Sequence, residues 1–189
     1  MIWFISDTHY HHKNIVRGVS QWTDTSGCRD FDTLEQHNAW LVNMINTHVA
    51  RQDTLYHLGD WSFGGKDQIR AFRDQLNCER IHLILGNHDH HIAQMRGSGF
   101  VFESVQQYKE LDLQAGRLVL FHYPIESWIN MERGVRHLHG HVHGQGPVKQ
   151  GRYDVGVDAV GLTSLDTVMK LPTPIDSRHT TIEGGNKFG

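Results

Sequence analysis

The sequence predicts a layered α/β domain, a sheet covered by helices, on three observations. Short apolar runs that stop at glycine or a polar group recur at 2–6, 54–58 and 81–85. Between them lie two stretches with apolar residues at helical spacing, which gives the order strand, helix, strand, helix, strand. The 189 residues suit one domain with a sizeable core better than two.

Each element has its own warrant. Residues 2–6 are apolar enough for a central strand, and the loop after them crowds Asp7, His9, His11, His12 and Asn14 together. From Arg17 to Asp32 nothing periodic appears, and a loop of that length is uncommon unless it is functional or disordered. Thr33 starts a helix, with Gln36 at the offset of a capping box and Leu34, Leu41, Ile45 and Val49 on one face. Thr54 to Leu58 forms the second strand, and Ile69, Phe72 and Leu76 mark a second amphipathic helix. Ile81 to Leu85 forms the third strand, closed by Gly86. A short helix around His90 to Met95 follows, ended by Gly97-Ser98-Gly99. Beyond it come strands with short turns. Leu111 to Leu113 and Leu118 to Phe121 flank Ala115-Gly116 as a hairpin, and Val135 to Leu138 is a further strand. A single domain is expected over 1–176, with 177–189 a polar, fraying tail.

Five of these runs deliver Asp, Asn or His at the far end. The groups so placed are Asp7, His9, Asp60, Asn87, His122, His141 and His143. Chain leaving a sheet there can aim side chains into a crevice. A mixture of imidazole, carboxylate and amide oxygen suits borderline divalent transition metals, not a thiolate zinc site or a calcium cage. Seven donors are too many for one tetrahedral ion and about right for two ions sharing a carboxylate.

Composition narrows the function. A formal charge of −3 leaves no footprint for tight duplex nucleic-acid binding. Sixteen histidines far exceed the needs of a core. Cys28 and Cys78 form no CxxC pair and read as reduced thiols. With no apolar run near the ~20 residues that span a bilayer, a cytoplasmic protein without membrane partners is expected.

The series Asp7-Thr8-His9, Gly59-Asp60, Gly86-Asn87-His88-Asp89, His122 and Gly140-His141-Val142-His143 resembles the calcineurin-like metallophosphoesterase superfamily, in order and relative position. The short amino terminus is similar to that of its small bacterial and phage members. The resemblance implies a four-layer β-sandwich of two mixed sheets flanked by helices, with the site at the strand ends. It implies that Asp7, His9 and His143 hold one metal, that Asn87, His122 and His141 hold the other, and that Asp60 bridges them. It also implies catalytic roles for His88, as acid to the leaving oxygen or donor to the phosphoryl group, and for Asp89, which would orient and charge-stabilise it. Manganese is the first expectation for the two divalent ions, with iron, zinc or nickel as alternatives. The expected reaction is hydrolysis of a phosphodiester or phosphomonoester, nucleotide-like by preference, by a metal-bridging hydroxide. The alternatives are a metal-dependent nuclease acting on short nucleic acid and a non-catalytic, protein-binding scaffold of the same fold.

The sequence departs from the protein serine/threonine phosphatases of that superfamily after Asp60. Trp61-Ser62-Phe63-Gly64 stands where they carry a phosphate-binding arginine. A phosphoprotein substrate is disfavoured, and the clamp is expected from the 17–32 loop, with Arg29 on phosphate and Trp22 on a base. His12 and Asn14 are further candidates for substrate contact. His37 and His48 are expected at solvent or partly buried positions, His57 and His82 as packing or surface groups. One of His137 and His139 could support the ligands.

Overall fold

The structure, a computed structural model, describes residues 1–94 and 101–174. The glycines expected to end the short helix and the expected polar tail lie outside those residues.

Among the described residues, nine strands form two mixed sheets. β1 (Ile2–Ile5), β2 (Thr54–His57), β3 (Arg80–Ile84) and β4 (Ser104–Gln106) run parallel, and β9 (Thr163–Ser164) closes the β1 edge antiparallel. The second sheet holds β5 (Tyr108–Leu113), β6 (Gly116–Phe121), β7 (Arg136–His139) and β8 (Arg152–Asp154) in sequence order, with only β5 antiparallel. β5 and β6 are the expected hairpin, with Leu113 opposite Gly116.

The alternation of side chains explains the near-continuous apolar runs, because both faces of the central strands are buried. Phe4, Tyr56, Leu58 and Ile84 face Leu118, Leu120, Leu138 and Val155 between the sheets. Ile5, Leu55, Ile81 and Leu83 point the other way, onto α1 (Leu34–His48) and α2 (Lys66–Gln75). Those helices bury Leu41, Ile45, Ile69 and Phe72, each contributing roughly 1.5–3 kcal/mol relative to exposure. Thr33 caps α1 in a capping box with Gln36, as its spacing predicts. The outer face of the second sheet is covered by Trp128 and Met131, on a segment with one 3-10 turn, so the fourth layer is irregular. α3 (His90–Gln94) follows β3, and α4 (Leu165–Lys170) packs Val168 into the space between the sheets.

The Arg17–Asp32 segment is ordered. Val16 pairs with Arg29, and Gly18 N–H donates to Phe31. Cys28 and Cys78 are free and buried. No helix among the described residues is long and apolar enough to cross a membrane.

Candidate metal centre

The ends of β1, β2, β3, β6 and β7 converge, and all seven candidate ligands meet there. Asp60 Oδ2 lies 3.5 Å from His9 Nε2 and 3.7 Å from His122 Nε2. On one side, Asp7 Oδ1 is 4.0 Å from His9 Nε2 and 3.9 Å from His143 Nε2. On the other, Asn87 Oδ1 is 3.0 Å from His122 Nε2 and 2.9 Å from His141 Nδ1. Asp7, His9 and His143 form one group able to hold a metal ion, and Asp7, Asp60 and His122 form another.

Backbone conformation brings them together. Asp7, His9, Asp60, His141 and His143 have φ of 56°, 47°, 57°, 74° and 49°, all left-handed. This conformation costs a non-glycine residue roughly 1–2 kcal/mol, and such strain persists only where the surroundings over-determine it. Here they do. His141 N–H donates to the Asp7 carboxylate, His88 N–H to Asp60 Oδ1, and Ser6 Oγ to Leu58 O. Glycines make the close approach possible: a Cβ on Gly140 would meet Ser6 Oγ and the Asp7 carboxylate, one on Gly86 would meet Asp60, and one on Gly59 would meet His122 Nδ1.

The electrostatics fit a divalent cation. Burial pushes Asp7 up to about 6, against the lowering effect of His143, and pushes Asp60 up to about 7. Burial also lowers His122 to about 4, and burial with the Arg29 charge holds His9 well below the usual histidine range. Carboxylates that resist ionising and imidazoles that stay neutral are both served by a cation, which uses the lone pairs of each. His9 carries the clearest mark, since both of its ring nitrogens are buried without a hydrogen-bond partner.

His88 sits at the mouth, its side chain 42% exposed and its Nε2 4.0 Å from Asp60 Oδ2. Burial, then the neighbouring His90, His141 and His143, lowers its pKa. The expected support from Asp89 is not what the structure contains. Asp89 is buried, and its carboxylate accepts from the backbone N–H groups of Asp60, Trp61 and Gly86. It fixes the Asp60 turn, so an acid placed next to His88 in sequence is spent on the backbone behind it.

Arg29 also differs from the expected phosphate clamp. It points inward and is 8% exposed. Nε and Nη2 fork onto Asp158 at 2.8 Å each, Nη2 also donates to Asp7 O, and Nη1 donates to Thr8 O. His37, fully buried against expectation, has Nε2 2.8 Å from Arg29 Nη1. Asn14 Oδ1 accepts from Gln21 N–H and braces the loop. His12 stacks on Phe63 with ring centroids 3.6 Å apart, beside His9, and exposed Trp22 stands edge-on to it. His12 and Trp22 therefore remain at the mouth.

Among the other histidines, buried His57 meets Thr8 Oγ1 at 2.8 Å and half-buried His82 stacks on Tyr56. Buried His137 bonds Val119 O and Tyr123 O, and buried His139 bonds Gly140 O. Sequence reasoning missed Asp154 and Asp158. Asp154 accepts from Gly144 and Gly156 N–H and shapes the turn that carries His143, while Asp158 Oδ2 lies 2.7 Å from His143 Nδ1. Burial raises the Asp158 pKa, but the His143 bond and the Arg29 fork outweigh it and hold the carboxyl well below its usual range. The only signal was the acid at the end of Val155-Gly156-Val157-Asp158, another apolar run stopping at a potential donor.

No protein-family model matches the chain. It is 29% identical over 204 residues to the Gene 66 protein of Mycobacterium phage L5, aligning 89% of this chain and 92% of that protein. It is 27% identical over 183 residues to the uncharacterized protein MJ1445 of Methanocaldococcus jannaschii, aligning 90% of each. Among solved structures it resembles AQ665 of Aquifex aeolicus, a protein of unknown function, at a TM-score of 0.62 and 23% identity. That match covers 84% of this chain and 90% of the other, a likeness of fold alone.

Proposed function

We propose that this chain is a calcineurin-like metallophosphoesterase that hydrolyses a phosphate ester with two divalent ions. One observation carries the reading. A buried carboxylate, Asp60, lies between His9 and His122 at the junction of two donor sets, and His9 has no other use for its ring nitrogens. In this reading Asp7, His9 and His143 hold one ion, Asn87, His122 and His141 hold the second, and Asp60 serves both. When bound, the ion pair supplies Lewis acidity, which lowers the pKa of water and neutralises charge on the phosphoryl oxygens.

The chain's own groups complete the chemistry. His88 is placed by its backbone bond to Asp60, and its exposed ring can hold a proton toward the leaving oxygen. Phe63 packs 4.8 Å from His88 and stacks on His12, giving the mouth an apolar wall. Asp89 keeps the Asp60 turn rigid. The clamp role first expected of Arg29 is not proposed, because Asp158 and backbone carbonyls already occupy its donors.

A diester is favoured over a monoester. Two hollows flank Asn87-His88: one of about 210 Å³ lined by Phe63, His88, His90 and His91, the other of about 230 Å³ lined by Asn87, Gln107, Phe121 and Tyr123. A group on each side of phosphorus would use both.

The test is hydrolysis of bis-p-nitrophenyl phosphate beside p-nitrophenyl phosphate, using metal-stripped protein and added manganese, nickel, zinc or magnesium. Metal-restored turnover favouring the diester is expected. Turnover of the monoester alone would make the protein a phosphatase. Silence on both with two ions bound would favour a binding scaffold.

A further inference from the structure

His143 has a carboxylate at each of its ring nitrogens. Nε2 points toward Asp7, and Nδ1 lies 2.7 Å from Asp158 Oδ2. Asp158 is in turn gripped by Arg29, whose Nε and Nη2 reach Oδ1 and Oδ2 at 2.8 Å. The same guanidinium donates to the carbonyls of Asp7 and Thr8, on the loop that carries Asp7 and His9. Arg29 thus ties the first ligand loop to the last one, across 129 positions of chain. Every donor it uses is matched to an acceptor fixed by the fold, and its burial leaves the geometry little freedom.

We propose that Asp158 and Arg29 are positioning residues for His143, fixing it in the tautomer with the proton on Nδ1 and the Nε2 lone pair facing Asp7. The inference rests on the reading of Asp7, His9 and His143 as holders of one ion. A carboxylate accepts from both sides and donates to neither, so the Nδ1 position beside Asp158 must carry the hydrogen. Free histidine side chains favour the other tautomer, whose Nε2 carries a proton and cannot bind an ion. A carboxylate behind a ligating imidazole fixes its tautomer and orientation, and removal of such a partner typically costs 10–100-fold in metal affinity. The left-handed backbone of His143, with φ 49°, adds a reason for an external hold. Arg29 supplies rigidity, because a planar fork fixes the carboxylate in position and plane.

The experiment has two parts. The first is long-range ¹H–¹⁵N correlation of the imidazoles at pH 8.5 in metal-free, full-length protein labelled at histidine. The expected spectrum shows His143 protonated on Nδ1 in the parent and shifted to the Nε2–H form in Asp158→Ala. A neutral parent His143 that carries its proton on Nε2 alone overturns the proposal without any variant. The second part is manganese titration of parent and variant. Two ions should bind the parent, and Asp158→Ala should weaken one of them 10–100-fold while changing the other less than threefold. Equal binding of both ions by parent and variant overturns the positioning role and leaves the metal reading standing. Failure of the parent to bind any ion overturns the metal reading and, with it, the purpose assigned to Asp158. Should Asp158→Ala not fold, Arg29→Lys replaces it, with the same site weakened at least threefold; unchanged binding there overturns the role of Arg29.

Discussion

Replacing Asp60 by asparagine should make the metal-free protein more stable and the metal-loaded protein less so. Asp60 is 2% exposed, and burial lifts its pKa from 3.8 to about 7. Folded protein therefore binds more protons at this group than the unfolded chain does between those values, so its contribution to stability falls as pH rises through them. Above pH 7, holding the carboxylate ionised costs on the order of 4 kcal/mol if nothing relaxes. Relaxation and water entry recover part of that, and we expect ~2 kcal/mol. Asparagine keeps an oxygen for the His88 N–H and loses the charge. Urea unfolding in chelator should show Asp60→Asn more stable by about 2 kcal/mol at pH 8, with the gain shrinking toward pH 5. Manganese at a hundredfold excess over its Kd should stabilise the parent by about 2.7 kcal/mol per ion and the variant far less, reversing the order. A variant less stable than the parent in chelator at pH 8, or one stabilised equally by metal, would refute the reasoning.

Other perturbations have equally definite outcomes. His88→Asn should keep both ions while turnover of a substrate with a poor leaving group drops roughly 10²–10⁴-fold; loss of metal on elemental analysis would show that His88 is a ligand. Gly140→Ala forces a methyl group against Ser6 and Asp7, and should cost ~1–3 kcal/mol in unfolding experiments together with bound metal. Gly27→Ala, with nothing within 4 Å, should change neither. Burial pushes His137 down to about 4. The unfolded chain takes up that proton near pH 6.5 and the fold does not, so stability from this group is complete above 6.5 and lost as pH falls toward 4. Between pH 8 and pH 5 the metal-free parent should lose about 2 kcal/mol relative to His137→Gln; parallel profiles for the two would contradict the assignment.

Much of the site was legible in the sequence because strand ends are local signals. An apolar run, a breaker and a donor occupy a few adjacent positions, and a parallel sheet brings such ends together whatever the loops do. The capping box at Thr33 and the hairpin at Ala115-Gly116 are local in the same sense, and both formed. What stayed hidden depends on contacts far apart in sequence. Arg29 reads as a free cation in a polar loop, yet its partner Asp158 is 129 residues away. His37 looks like a solvent position on α1 until Arg29 folds beneath it. Asp89 follows His88 in sequence, but the turn after β3 sends its carboxylate to the Asp60 backbone. The left-handed φ of five candidate ligands left no composition signal, although Asp and His tolerate that region better than most residues do.

The most direct measurement is electron paramagnetic resonance of the protein loaded with manganese, alongside the metal content per chain. Asp60 shared between His9 and His122 predicts two ions per chain and the broad spectrum of an exchange-coupled pair, collapsing to isolated-ion signals in Asp60→Asn. One ion per chain with an isolated six-line spectrum in the parent, or no bound manganese, would contradict the dinuclear centre.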